Sequence, residues 1–264
     1  MSSPALLIRP ARLSIPLAQG DEPPCRPVVE VGQELHQGQM VGRADDDGTC
    51  HVHSPCAGRI AAIGFVATAC RARTPAVIIE TTDDVARPIL SGSSVRGPLD
   101  LNELAMIADE AGIVSAHGPA FTLGDQFRRA ACCRIDTLII NGLEREPLLQ
   151  VRQCLLEHAT VDIIEAAEWL CRAIGLQECR LAVGRKDRRL ASHCQASSRG
   201  KSVRLVRLAS KYPQAAPVLL ARTITGRETP CGRTPDHVGV LVVELEPLVA
   251  LAVAVRENRP MTEV

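Results

Sequence analysis

The chain has 264 residues, 46% of them hydrophobic but only 2% aromatic, with 30 basic and 30 acidic residues and a formal net charge of zero. That length allows one large or two ordinary domains around an aliphatic core. The charge balance excludes a broad nucleic-acid surface, which needs a basic excess, and no run reaches the roughly 18 apolar residues of a membrane span.

Between Met1 and Gly20 the only apolar run is Ala5 to Ile8, broken by Arg9 and Pro10, which is too short for a secretory core. The expected compartment is the cytosol, where most of the eleven cysteines stay reduced and serve as small hydrophobes. Membrane attachment is expected only through a partner. Val28, Val29 and Val31 predict a short strand. Gly32, Gly38 and Gly42 then punctuate very short strands, as tight turns require. A polar turn, Asp45-Asp46-Asp47-Gly48, leads to His51-Val52-His53-Ser54-Pro55 and Ala57-Gly58-Arg59-Ile60. Cys50, His51, His53 and Cys56 have zinc-ligand chemistry. On a hairpin their side chains alternate between faces and the set is split, so no metal is expected there. Ala76 to Glu80 predicts a further strand, and the Pro-, Gly- and Ser-containing stretch 81–99 predicts a linker.

Asp100-x-x-Glu103 reads as a capping box. The helix it opens carries Leu101, Leu104, Ala105, Ala108 and Ala111 on one face and stops at Gly112. Residues 113–125 read as a loop. Leu138, Ile139 and Ile140 form the short apolar run of a buried parallel strand, ended by Asn141-Gly142. Glu144 and Glu146 follow, and Pro147 suits the first position of a helix expected from Glu146 to His158. Residues 135–147 are thus a strand–turn–helix junction with two carboxylates, placed where open α/β sheets bind ligands.

A second helix is expected over Val161 to Ile174 and a strand over Leu181 to Val183. Residues 185–200 read as an arginine-rich helix or loop whose charges form a solvated face. A strand over Val203 to Leu208, a short helix over Pro217 to Ile224, a strand over Val238 to Val243 and a last helix over Pro247 to Val255 complete the chain. Strands alternating with helices predict a parallel, Rossmann-like sheet. Cys194 beside His193 is a tempting nucleophile pair, but neighbours in an arginine-rich segment rarely form a dyad.

Several segments, in order, resemble the C-type component of the Rnf electron-transport complex. They are Ile15 to Gln19, Pro27 to Gly32, Gly38 to Gly42, His53 to Pro55 with Gly58, Ala111 to Val114, Ile135 to Gly142, Glu144, Glu146-Pro147, Lys211 to Gln214 and Thr225 to Glu228. The early hairpin also resembles biotinyl and lipoyl domains. No lysine precedes Lys186 to carry their swinging arm. The second half is similar to the flavin- and NADH-binding subunit of complex I. The resemblance implies an α/β protein with a barrel-sandwich module over 1–90 and a Rossmann-like domain over 100–264. It implies electron transport with FMN and NADH, on the cytoplasmic face of the inner membrane. The partners implied are other subunits of a membrane redox complex or a ferredoxin- or flavodoxin-like protein. Gly118, Phe121, Asn141, Gly142, Glu144 and Glu146 are the implied cofactor-binding residues.

The chain also departs from that family. Where the family reads Gly-Leu-Gly-Gly-Ala-Gly-Phe-Pro-Thr, residues 115–123 keep only Gly118 of the four glycines, with Phe121. Pro119 removes a backbone donor. Ala215 to Val218 stands for Gly-Gly-Glu-Lys, and Glu244-Leu245-Glu246-Pro247 stands for an Asn-Val-Gly-Thr-like turn. No C-x2-C-x2-C-x3-C-P run is present, so no iron–sulfur cluster is expected in this chain. Two readings follow. In one, the chain is an electron-transport component with a degraded nucleotide loop. In the other, it is a non-catalytic docking subunit that keeps the fold and binds no flavin or NADH.

Overall fold

The computed structural model describes residues 10–18, 23–45, 50–82, 99–115, 122–146 and 148–262. Seven strands come first: β1 (Arg12–Pro16), β2 (Arg26–Pro27), β3 (Glu34–Leu35), β4 (Met40–Arg43), β5 (Val52–His53), β6 (Gly58–Val66) and β7 (Thr74–Thr81). They form two antiparallel sheets, ordered β1-β7-β6-β3 and β2-β4-β5, around an aliphatic core that includes Leu17, Leu35, Val41, Ile60 and Ile79. Gly58 is needed where β6 meets β7, because a Cβ there would lie 2.2 Å from the Glu80 carbonyl oxygen.

The strand expected at Val28 to Val31 is not formed. Val28 N–H still bonds the Val41 carbonyl at 3.1 Å, but the chain turns at Glu30–Gln33 with Gly32 at φ +87°. Val31 is left 63% exposed.

The second half contains α1 (Leu101–Glu110), α2 (Leu123–Ala131), β8 (Thr137–Asn141), α3 (Val151–His158), α4 (Thr160–Ile174), β9 (Cys179–Gly184), α5 (Arg188–Ser197), β10 (Val203–Leu208), α6 (Pro217–Thr225), a 3-10 turn at Pro235–Val238, β11 (Val240–Glu244) and α7 (Leu245–Glu257). The four strands are parallel in the order β10-β9-β8-β11. Both faces of the sheet are covered, which is why its strands read as unbroken apolar runs. Leu138, Ile140, Leu181, Val183, Leu241 and Val243 pack under the helices of the larger core. Ile139, Ala182, Val240 and Val242 face α6 through Leu220 and Ala221.

The capping box at Asp100 and Glu103 is present in both directions. The predicted loop 113–125 is cut short: α2 begins at Leu123, with the Thr122 hydroxyl accepting from Asp125 N–H at 2.9 Å. The helix expected from Glu146 starts only at Val151, after Leu148 in a left-handed conformation at φ +75°. Pro147, assigned to its first position, lies outside the described residues. The strand expected from Val238 begins at Val240, since Pro235–Val238 forms the 3-10 turn. The arginine-rich segment is a helix that leaves Arg188 and Arg189 exposed, as expected of its charges, and buries Leu190, Ala191 and Cys194.

The two halves meet at Gly112, whose φ is +69°. A Cβ there would lie 2.4 Å from the His51 carbonyl oxygen and 3.1 Å from His53 Nδ1. The Cys50 thiol donates to the Ile113 carbonyl across the same seam at 3.2 Å.

Candidate functional site

Strand order places the topological switch between β8 and β11. From β8 the chain steps outward to β9 and β10, then returns to β11 on the other side. The crevice beyond these two strand ends is where such sheets take ligands. Asn141 ends β8 and Glu244 ends β11, paired in register. Both are buried.

Asn141 Nδ2 donates to the Ala215 carbonyl at 2.8 Å and to Glu244 Oε1 at 2.9 Å, while Oδ1 accepts from Leu143 N–H at 3.3 Å. The guanidinium of Arg152, on α3, reaches into the same crevice with only 1% of the residue exposed. Its Nε donates to Glu246 Oε1 at 2.9 Å, its Nη1 to the Leu143 carbonyl at 2.7 Å, and its Nη2 pairs with Glu244. One buried cation therefore offsets Glu244 and the partly exposed Glu246, and the Asn141 amide braces the cluster. A buried charge is tolerable only when paired and hydrogen-bonded in this way.

Of the residues assigned from sequence, Asn141 and Gly142 are both buried at the crevice. Gly142 N–H bonds the Ala182 carbonyl at 2.9 Å, and a Cβ at Gly142 would lie 2.7 Å from that oxygen. Glu144 does not point to a free site; it accepts from Gln153 N–H at 2.9 Å and so holds the start of α3. Glu146 is exposed. Gly118 and Phe121 lie outside the described residues. Arg152 was missed: on an amphipathic helix an arginine reads as solvent-facing, and its carboxylate partners lie more than ninety residues away.

A cleft of about 280 Å³ lies along β11, between α2, α6 and the 3-10 turn, lined by Ser115, Gln126, Val218, Asp236, Val240 and Val242 among others. Gln126 Nε2 donates to the Val242 carbonyl at 2.6 Å and caps the strand edge there.

Cys50, His53 and Cys194 are buried side chains. Among the described residues no group of three or more His, Cys, Asp or Glu could hold a metal ion. Burial, and less so the neighbouring His51, pushes the His53 imidazole down to about 4, and neither ring nitrogen has a hydrogen-bond partner. His51 Nδ1 instead accepts from Ala44 N–H at 3.1 Å. Burial pushes the Cys194 thiol up to about 11, the opposite of what a nucleophile needs.

Residues 108–253 match the family described as the Nuo51 FMN-binding domain, and residues 5–84 match the RnfC barrel sandwich hybrid domain. The chain is 25% identical over 256 residues to the C-type component of the proton-translocating ferredoxin:NAD(+) oxidoreductase complex of Clostridium ljungdahlii, covering 96% of this chain and 56% of that protein. It is 28% identical to the C-type component of the ion-translocating oxidoreductase complex of Pseudomonas aeruginosa, covering 98% of this chain and 34% of that one. The chain thus spans about half, or less, of these relatives. A crystal structure of an NAD+-reducing [NiFe]-hydrogenase shares the fold, with a TM-score of 0.53 at 20% identity over 59% of this chain and 31% of that one.

The described crevice does not suit an FMN group. Both Asn141 amide hydrogens and the Arg152 guanidinium are engaged by the chain's own oxygens. An anionic phosphate needs donors, and the buried Glu244 carboxylate beside Asn141 supplies none.

Proposed function

The chain belongs to the Nuo51 FMN-binding domain family, and from that premise we propose that it works as an electron-transport component on the plan of the C-type component of an Rnf membrane complex. The observation that carries this reading is a pairing. A barrel-sandwich match and a Nuo51-type match follow each other in one chain, and the C-type relatives align across 96% or more of it. We take residues 1–90 and 100–264 as the two working units. Its partners are other subunits of a membrane redox complex, or a ferredoxin- or flavodoxin-like carrier, on the cytoplasmic face of the membrane. No helix among the described residues is long and apolar enough to cross a membrane, which agrees with a peripheral place. The cysteine spacing supports a chain without an iron–sulfur cluster of its own.

Gly118, Phe121 and Glu146 are the residues we propose for contact with FMN or NADH, since Asn141, Gly142 and Glu144 are engaged within the chain. A second reading, a docking subunit without flavin, is favoured by one observation, the Arg152–Glu244 pair in the crevice. Titrating the purified protein with FMN and with NADH, followed by flavin fluorescence, separates the two. Saturable micromolar binding refutes the docking reading. Absent binding, with co-purification of membrane redox subunits on co-expression, refutes the cofactor reading. If neither occurs, the electron-transport assignment fails.

A further inference from the structure

We propose that the strand-end face of the α/β domain rests directly on an anionic lipid bilayer, with Leu148 and Leu149 among the lipids and the surrounding arginines and lysines on headgroup phosphates. Because β8, β9 and β10 are parallel, the loops that follow them leave from one end of the sheet. The loops are tied together. Gln153 Nε2 donates to Asp187 at 3.2 Å, Arg185 N–H to the Leu208 carbonyl at 2.7 Å, and Arg207 Nη2 to the Arg185 carbonyl at 3.2 Å.

Two properties coincide on this face. The first is apolar exposure: Leu148 is 99% exposed, Leu149 46%, Val151 52% and Tyr212 75%. Leu148 also holds φ +75°, a conformation that disfavours a branched side chain. An aliphatic residue kept at a strained and 99% exposed tip gains little from burial among the described residues. The second is charge. Arg185, Lys186, Arg188 and Arg189 follow β9, and Arg207 and Lys211 lie at and beyond the end of β10, six basic residues against one acid in these two loops, Asp187. Arg185, Lys186, Arg188, Arg189, Arg207 and Lys211 are exposed, and three of them, Arg185, Arg188 and Arg207, line an open cleft of about 590 Å³.

The acidic groups of this end are fewer and partly occupied. Glu144 accepts from Gln153 N–H, Asp187 caps α5 through Leu190 N–H, and Glu146 sits beside Arg145. Protection of β10 as an edge strand accounts for Arg204 and Arg207, but not for four cations beyond the end of β9. A bilayer matches both properties at once. Clustered Lys and Arg bind anionic headgroups, exposed Leu enters the acyl boundary, and an exposed Tyr suits the interface. An acidic protein would match the cations alone.

This inference stands apart from the electron-transport reading, and its test contains no partner protein. The full chain is floated with vesicles of phosphatidylcholine containing about 30% phosphatidylglycerol, and with phosphatidylcholine alone, at low and physiological salt. The expected result is binding to the anionic vesicles that weakens with salt. Each cation near the surface is worth about a fivefold change in binding, so the double variant Arg188→Glu, Arg189→Glu should lose at least tenfold. Leu148→Ser should bind more weakly at high salt, where the apolar part dominates. Arg12→Glu, in the first module, should bind as the parent does. Circular dichroism confirms that each variant is folded. The proposal is overturned by absence of flotation or by equal binding to neutral vesicles. It is also overturned by full release with millimolar inorganic phosphate, or by Arg12→Glu losing as much as the strand-end double variant.

Discussion

Replacing Arg152 with Met removes the cation on which the crevice depends and leaves a similar aliphatic volume behind. The Glu244 side chain is 0% exposed, so its carboxylate would be left buried with no counter-charge. Breaking a buried pair in this way costs about 3–5 kcal/mol. The lost bond to the Leu143 carbonyl falls within that figure, since the groups act as one network. A domain of this size is stable by about 5–15 kcal/mol, so the variant should fold but unfold at clearly lower urea. Trp169, the one tryptophan in the chain, packs against the larger core and reports this domain by fluorescence. The expected outcome is a lower midpoint at unchanged slope. Adding Glu244→Leu should then recover most of the loss, because the stranded charge is gone. A cost below about 1 kcal/mol for Arg152→Met would refute the network as described. So would a double variant no more stable than the single one.

The other expectations concern the seam and the first helix. In the unfolded chain His53 takes up its proton near 6.5, but in the folded chain burial holds it to about 4. The protonated unfolded state therefore gains between these values, and stability present above pH 6.5 falls as pH drops toward 4, by about 3 kcal/mol. Urea melts of the parent and His53→Leu at pH 7 and 4.5 measure this; identical pH dependence in both would exclude His53 as its source. Gly112→Ala combines a left-handed φ with a 2.4 Å clash against the His51 carbonyl and should lower stability by about 2 kcal/mol or more in the same melts. Asp100→Ala breaks the capping box and should cost about 1 kcal/mol, read as a small drop in melting temperature.

Much of the fold was legible because local chemistry and tertiary role coincide. The runs at Leu138 to Ile140 and Val240 to Val243 are apolar on both faces because helices cover both faces. The capping box at Asp100 works from residues three apart. Glycines in the first module mark turns and close approaches that only glycine allows. What was not legible depends on distant partners. The start of α2 was hidden because Thr122 and Asp125 followed a segment read as loop. The start of α3 was misplaced because Pro147 suggested a helix beginning. Glu144 instead caps Gln153 N–H, and Leu143 is held by Arg152. Asn141 was read from sequence as a strand end, and it lies buried at the end of β8 opposite Glu244. Its occupation by the chain's own guanidinium depends on Glu244 and Glu246, which no local pattern links to Arg152.

The separation of those partners bears on how the molecule assembles. Asn141 and Glu244 are 103 residues apart, and Arg152 and Glu246 are 94. During synthesis Arg152 emerges long before either carboxylate, so the crevice cannot close until β11 docks beside β8. Long-range parallel pairing of this kind is intrinsically slow. Until then the nascent α/β domain exposes an uncompensated cation and the open edge of β8. The last strand therefore completes the sheet, supplies the counter-charge and ends the interval in which that edge can pair with another chain.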